Sequence, residues 1–217
     1  MIVKNISRLR KIISSISNKI IYYIPTMGNL HEGHLQLIKY AQEKKQFLVV
    51  SIYVNPLQFD SMIDYKKYPR TINRDLTILK KLNVDIIFLP ENNFLKDNLS
   101  KLSLGNITHK LCGIDRPGHF SGVATIILKF LNIIQPDFLI LGEKDYQQIL
   151  VIKQIIKDFF LKVKVLERPT VRDRSGLALS SRNMLIPRTK KNAAETIFRV
   201  LKSISREIRM TGLKKTK

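Results

Sequence analysis

Apolar residues recur along this chain in two alternating rhythms. Ile6, Leu9, Ile13 and Ile16 fall three or four residues apart, which predicts an amphipathic helix over residues 6–16. The run IIYYI (20–24) is β-branched and aromatic throughout and predicts a short buried strand. The alternation continues with a helix from His34 to Lys45, a strand FLVVSIYV (47–54), a helix from Ile72 to Leu82 and a strand VDIIFLP (84–90). Residues 91–118 follow neither rhythm. Beyond them Val123, Ile126, Ile127, Phe130, Leu131 and Ile134 form one helical stripe, with Lys129 and Asn132 off it. A strand DFLILG (137–142), a helix marked by Ile149, Ile152, Ile156 and Phe159, and a strand KVKVLERP (162–169) complete the series.

Strands that are apolar on both faces and alternate with helices predict an α/β fold, a doubly wound parallel sheet covered on two sides. The sequence contains no internal repeat, low-complexity linker or heptad array. The one candidate boundary lies near Pro187, where the alternation stops, and divides the chain into 1–186 and 187–217.

Ligands of such sheets collect at the carboxyl ends of the strands, and the polar clusters fall at those ends. PTMGNLHEGH (25–34), NPLQF (55–59), GEKDYQQ (142–148) and LALSSRN (177–183) each follow a strand and are expected to converge on one cleft. In His31-Glu32-Gly33-His34 the glycine permits close backbone approach, the helix N-terminus offers free N–H groups, and both imidazoles can reach an anion held there. That suits nucleotide phosphates, whose oxygens gain charge during displacement. A surface histidine pair and a zinc site are the other readings. Zinc is disfavoured because the chain holds four histidines and one cysteine, with His109 in the irregular segment and His119 at its end.

Composition narrows the class further. A chain of 217 residues that is 44% hydrophobic can bury a real core. Cys112 stands alone, so it reads as a structural thiol in a reducing compartment. The N-terminus lacks a continuous apolar stretch, and no run approaches the roughly 18 apolar residues of a membrane span, so a cytoplasmic location is expected. The net charge of +21 invites phosphate-bearing partners, but lysines are scattered beside Ile and Asn as a compositional bias would leave them. A basic nucleic-acid-binding module would explain the charge, yet no RNP motif, zinc finger or helix-turn-helix pattern accompanies it. From Pro187 onward ten basic residues, among them Lys214, Lys215 and Lys217, stand against Glu195 and Glu207.

The motifs PTMGNLHEGHLQLI, SIYVNPLQF, YPRT, RPGHFSGVAT, QPDFLILGEKDYQQ and PTVRDRSGLALSSRN occur in order, and together they resemble the pantothenate synthetases, the pantoate–β-alanine ligases, over about residues 1–190. The resemblance implies a Rossmann-like nucleotidyltransferase fold of the His-x-Gly-His type, a cytoplasmic homodimer, and a two-step reaction. ATP and pantoate would give pantoyl adenylate and pyrophosphate, and β-alanine would then displace AMP. Other His-x-Gly-His adenylyl transferases share the first motif but not NPLQF or GEKDYQQ.

Carried over residue by residue, the resemblance makes Met27, Gly28, Asn29, Leu30, His31, Glu32, Gly33 and His34 the ATP-binding turn, with His34 the proton donor and His31 its partner. Gly142, Glu143, Lys144 and Asp145 match a second ATP segment, in which Asp145 accepts from ribose and Lys144 neutralises phosphate. Leu179, Ser180, Ser181 and Arg182 match the phosphate loop, with Arg182 clamping the pyrophosphate, while Val171 meets the adenine through its backbone. Gln58 and Gln148 resemble the amides that bind pantoate, supported by Asn55, and Arg116 is a candidate cation of the same pocket. Mg²⁺ is expected to arrive on the ATP phosphates rather than in a protein cage, with Asp75 at its hydration shell.

Members of that family continue into a second domain that closes over the site; with 30 residues after Pro187, the lid is expected to be incomplete here. Residues 192–208 still read as that domain's first helix. The expectation is a weakened enzyme that leaks its adenylate, an inactive reduced-genome remnant, or half of a site completed by a partner.

Overall fold

The computed structural model describes residues 1–16, 18–91, 94–96 and 98–212. Six parallel strands form one sheet: β1 (Ile2–Val3), β2 (Ile21–Thr26), β3 (Phe47–Ile52), β4 (Ile86–Phe88), β5 (Phe138–Gly142) and β6 (Lys164–Arg168). Their order across the sheet is β1-β4-β3-β2-β5-β6. The chain therefore builds outward from β2 through β3 and β4, then returns to lay β5 against the other edge of β2. That reversal puts the carboxyl ends of β2 and β5 side by side at a switch point.

The helices are α1 (Ile6–Ser15), α2 (Glu32–Glu43), α3 (Met62–Lys67), α4 (Ile72–Lys81), α5 (Cys112–Asp115), α6 (His119–Ile134), α7 (Tyr146–Asp158) and α8 (Lys191–Thr211). Because successive strand residues point to opposite faces, each strand feeds two cores. Tyr23, Val49, Phe88 and Leu139 pack with α1, α6 and α7, while Tyr22, Ile24, Val50, Ile87 and Ile140 pack with α2 and α4. The sheet is thus covered on both sides, as the unbroken apolar strands require. Inside the first core the Tyr23 hydroxyl pairs with Ser51 Oγ at 2.7 Å, which satisfies two buried polar groups together. Between strands, Asp137 and Asp85 accept the N–H groups of Ile21 (2.7 Å) and Leu48 (2.8 Å) where the ladders begin.

Several sequence expectations shift. The second helix starts at Glu32 rather than His34. β1 was not expected; at two residues it is too short to show a period, and it forms only by pairing with β4. α3 and α5 also escaped notice, each shorter than two turns. Cys112, expected to be structural, is exposed at the start of α5, where no packing uses it. The helix expected at 192–208 is α8, none of whose residues is buried. It meets the body where Phe198 lies 3.6 Å beneath the Arg172 guanidinium. Lys214, Lys215 and Lys217 of the basic tail lie outside the described residues. Among the described residues, no helix is long and apolar enough to cross a membrane.

Candidate active site

The segment between β2 and α2 is held from beneath by Asp75 of α4, whose side chain is completely buried. Its carboxylate accepts N–H bonds from Asn29 (2.8 Å) and Leu30 (2.9 Å) and the Thr71 hydroxyl (3.0 Å). Gly28 sits at φ +77°, and a Cβ there would stand 3.1 Å from both Asp75 Oδ2 and Ile52 Cγ2, so the turn needs glycine for conformation and for space. Asp75, expected at a hydration shell, is instead enclosed and committed to this turn. From the other side the Ser181 hydroxyl donates to the Asn29 carbonyl at 3.1 Å, and Asn29 Nδ2 donates back to the Ser181 carbonyl at 3.1 Å. The first and last motifs of the site are therefore stitched together across more than 150 residues of chain.

With α2 starting at Glu32, His31 is the residue preceding the helix and His34 stands in its first turn. The His31 backbone N–H donates to His34 Nδ1 at 3.3 Å, which makes Nδ1 an acceptor and leaves the proton of the neutral ring on Nε2. Burial pushes His34 down to about 3, with smaller contributions from neighbouring His31 and Lys144, so the ring is neutral at physiological pH. His31 is lowered too, first by burial and then by Lys144, with Asp145 opposing. The two rings lie 4.0 Å apart, centroid to centroid. His31 Nδ1 is buried without a hydrogen-bond partner, since the His34 N–H goes to the His31 carbonyl (2.8 Å). Gly33 between them leaves room for the His31 ring: a Cβ there would fall 2.9 Å from His31 Cε1 and 3.0 Å from its Nδ1, so the ring would have to move.

These rings face a cavity of about 230 Å³ at the carboxyl ends of β2 and β5. From the β5–α7 junction come Gly142, Lys144 and Asp145, with Lys144 Nζ 3.1 Å from the Asp145 carboxylate. Gln148, on the first turn of α7, lines the same wall. Arg182 donates to Asp64 at 3.1 Å while lying over the rings of Tyr68 (5.2 Å) and Phe59 (5.5 Å), so its guanidinium is oriented from two sides. Val171 lines the cavity, its carbonyl accepting the Leu179 N–H at 3.0 Å.

Gln58 closes a 3₁₀ turn, Pro56–Gln58, that Asn55 caps. Asn55 is 1% exposed and uses its amide on Gln58 Oε1 (3.0 Å) and the Gly122 carbonyl (3.1 Å), so it acts as scaffold. Gln58 Nε2 donates to the Met27 sulfur at 3.0 Å, a weak acceptor that an oxygen ligand would readily replace. Arg116 pairs with Asp60 at 2.8 Å beside the same turn.

Of the residues expected in the site, Met27, His31, Gly33, His34, Asn55, Gln58, Arg116, Gly142, Lys144, Asp145, Gln148, Val171, Leu179, Ser180, Ser181 and Arg182 line this one cavity. Gly28, Asn29 and Leu30 lie behind its wall as backbone support. Glu32 faces solvent, bonded to Gln36 and Lys39, and Glu143 is not among the lining residues. Sequence reasoning placed neither Tyr68 nor His119 in the site, and it read Val123, Ile126, Ile127 and Phe130 only as a helical stripe, whereas they also form the apolar wall of the cavity. The YPRT and RPGHF motifs held the signal for the first two; a helical stripe gives none for a residue that serves core and cavity at once.

The whole chain, residues 1–217, matches the model of the family described as pantoate-beta-alanine ligase. It is 43% identical over 213 residues to a pantothenate synthetase of Buchnera aphidicola, covering 95% of this chain and 75% of that protein. A pantothenate synthetase of Pseudothermotoga lettingae is 41% identical, covering 100% of this chain and 78% of its own length. Among solved structures, the pantoate-beta-alanine ligase of Francisella tularensis, complexed with beta-gamma ATP and beta-alanine, superimposes with a TM-score of 0.88 at 44% identity, covering 93% of this chain and 79% of that one. The pantothenate synthetase of Thermus thermophilus gives 0.89 at 37% identity, covering 97% and 76%.

Proposed function

The chain belongs to the pantoate–β-alanine ligase family and is a ligase, and from that premise we propose that it joins pantoate to β-alanine through a pantoyl adenylate. A pantoate carboxylate oxygen attacks the α-phosphorus of ATP and pyrophosphate leaves; the amine of β-alanine then attacks the acyl carbon and AMP leaves. The observation that carries the reading is the convergence of His34, Lys144 and Arg182 with Gln58 and Gln148 around one cavity, drawn from four distant segments.

Each group has a chemical task. Neutral His34 offers its Nε2–H to a phosphate oxygen as charge builds there, donating a hydrogen bond rather than a full proton. Lys144 and Arg182 supply fixed positive charge, Arg182 in the planar form that grips the departing pyrophosphate. The amides of Gln58 and Gln148 present donors and acceptors to the hydroxyl and carboxylate groups of pantoate, and the wall of Val123, Ile126 and Phe130 accepts its methyl groups. Among the described residues no three His, Cys, Asp or Glu side chains gather to hold a metal. We propose that Mg²⁺ enters on the nucleotide phosphates, and no step here is routed through it.

Isotope exchange of pyrophosphate into ATP tests the proposal without β-alanine. Exchange that requires pantoate and fails with other carboxylic acids supports it; exchange that is absent, or indifferent to the acid, refutes it.

A further inference from the structure

His119 opens α6 at the rim of the cavity, 9% exposed, and both ring nitrogens are engaged. Nδ1 lies 2.7 Å from the Gln58 carbonyl oxygen, so it carries the proton and donates. Nε2 lies 3.1 Å from Arg116 Nη1, which can only donate, so Nε2 accepts. Arg116 is itself anchored by Asp60 at 2.8 Å and donates a second bond to the same Gln58 carbonyl at 3.2 Å. The chain Asp60–Arg116–His119 therefore ends, through two donors, on the backbone of one residue. We propose that His119 is a positioning residue that fixes Gln58 in the cavity, with Arg116 as the group that locks its tautomer.

Burial, and then the charge of Arg116, act to lower His119 below the ordinary histidine value, against the pull of the Gln58 bond; this keeps the ring neutral, as an accepting Nε2 requires. Gly122 makes the geometry demanding. A Cβ there would fall 2.0 Å from the Leu57 carbonyl oxygen, so the Pro56–Gln58 turn is seated directly on α6, the helix that His119 opens. Arg116 has two bonds committed inside this network and its Nε on Asp60, so its part here is to hold the turn.

The inference rests on the reading of Gln58 as a pantoate ligand, and the test separates the two. In His119→Asn the amide nitrogen takes the place of Nδ1 and can still donate to the Gln58 carbonyl, whereas in His119→Gln it takes the place of Nε2 and cannot. The Gln58 side-chain amide signal, identified by its loss in Gln58→Ala, is followed by NMR in the free protein, and the pantoate and ATP KM values are measured in pyrophosphate exchange. The Gln variant should move the signal and raise the pantoate KM about tenfold, as expected for the loss of one of the carbonyl's two hydrogen bonds, with ATP KM nearly unchanged; the Asn variant should restore both. A signal unmoved in His119→Gln, or Asn and Gln variants that behave alike, overturns the proposal. A signal that moves and is restored without any change in pantoate KM upholds positioning and removes the substrate assignment of Gln58.

Discussion

At His34, burial and one backbone hydrogen bond act on the same ring, and together they decide which chemistry it can do. A ring held down to about 3 cannot deliver a proton at neutral pH, but its Nε2–H is a fixed donor at every pH above that value. His34→Ala should lower pantoate-dependent exchange by roughly 10²–10³-fold, the usual loss on removing one donor to a developing charge; an unchanged rate in folded protein would make the histidine structural. The pH profile follows from the same ring. Exchange should show no inflection near 6.5 from His34 ionisation, since the folded chain does not bind that proton there. Stability runs the other way: the unfolded chain takes up the proton near 6.5 and the folded chain near 3, so the stabilisation is complete above 6.5 and is lost as pH falls through that window. Denaturant titrations between pH 7 and 4 should show the decline, and a His34→Gln variant should show a shallower one.

The turn between β2 and α2 is where element geometry becomes site geometry. Gly33→Ala would place a methyl against the His31 ring, which stands 2.9 Å from that position, and should cost roughly 10- to 100-fold in exchange, the scale of misplacing a catalytic group by up to an ångström. Asp75→Asn replaces a carboxylate that serves three donors with a group that can satisfy fewer, and should destabilise the fold by about 1–3 kcal/mol in denaturant unfolding. Periodicity made the helices and the buried strands legible because each buries a continuous face, and polar clusters after strands marked the cleft because a parallel sheet exposes its carboxyl ends. Asp75 was misread because a sequence shows an acidic residue without showing that its oxygens are already used. His119 was weighed only as a zinc ligand, because a sequence does not show which backbone group an imidazole meets; its role exists only where α6 meets the Pro56–Gln58 turn.

Across the whole molecule, the strand order β1-β4-β3-β2-β5-β6 is what turns separate motifs into one site, because the reversal at β2 and β5 leaves their carboxyl ends adjacent. The +21 charge adds a general attraction for polyanions, but salt screens exposed charges within about 8 Å at physiological ionic strength. Orientation of a nucleotide must therefore come from the cavity groups themselves. The central claim, that this cavity activates a pantoate carboxylate as an adenylate, is tested most directly by following pantoate labelled with heavy oxygen in that carboxylate through a complete reaction with ATP and β-alanine. The account predicts that one labelled oxygen passes from the carboxylate into each AMP, because the carboxylate attacks the α-phosphorus and the acyl carbon–oxygen bond breaks in the second step. Label found in inorganic phosphate, with ADP as the other product, would contradict it.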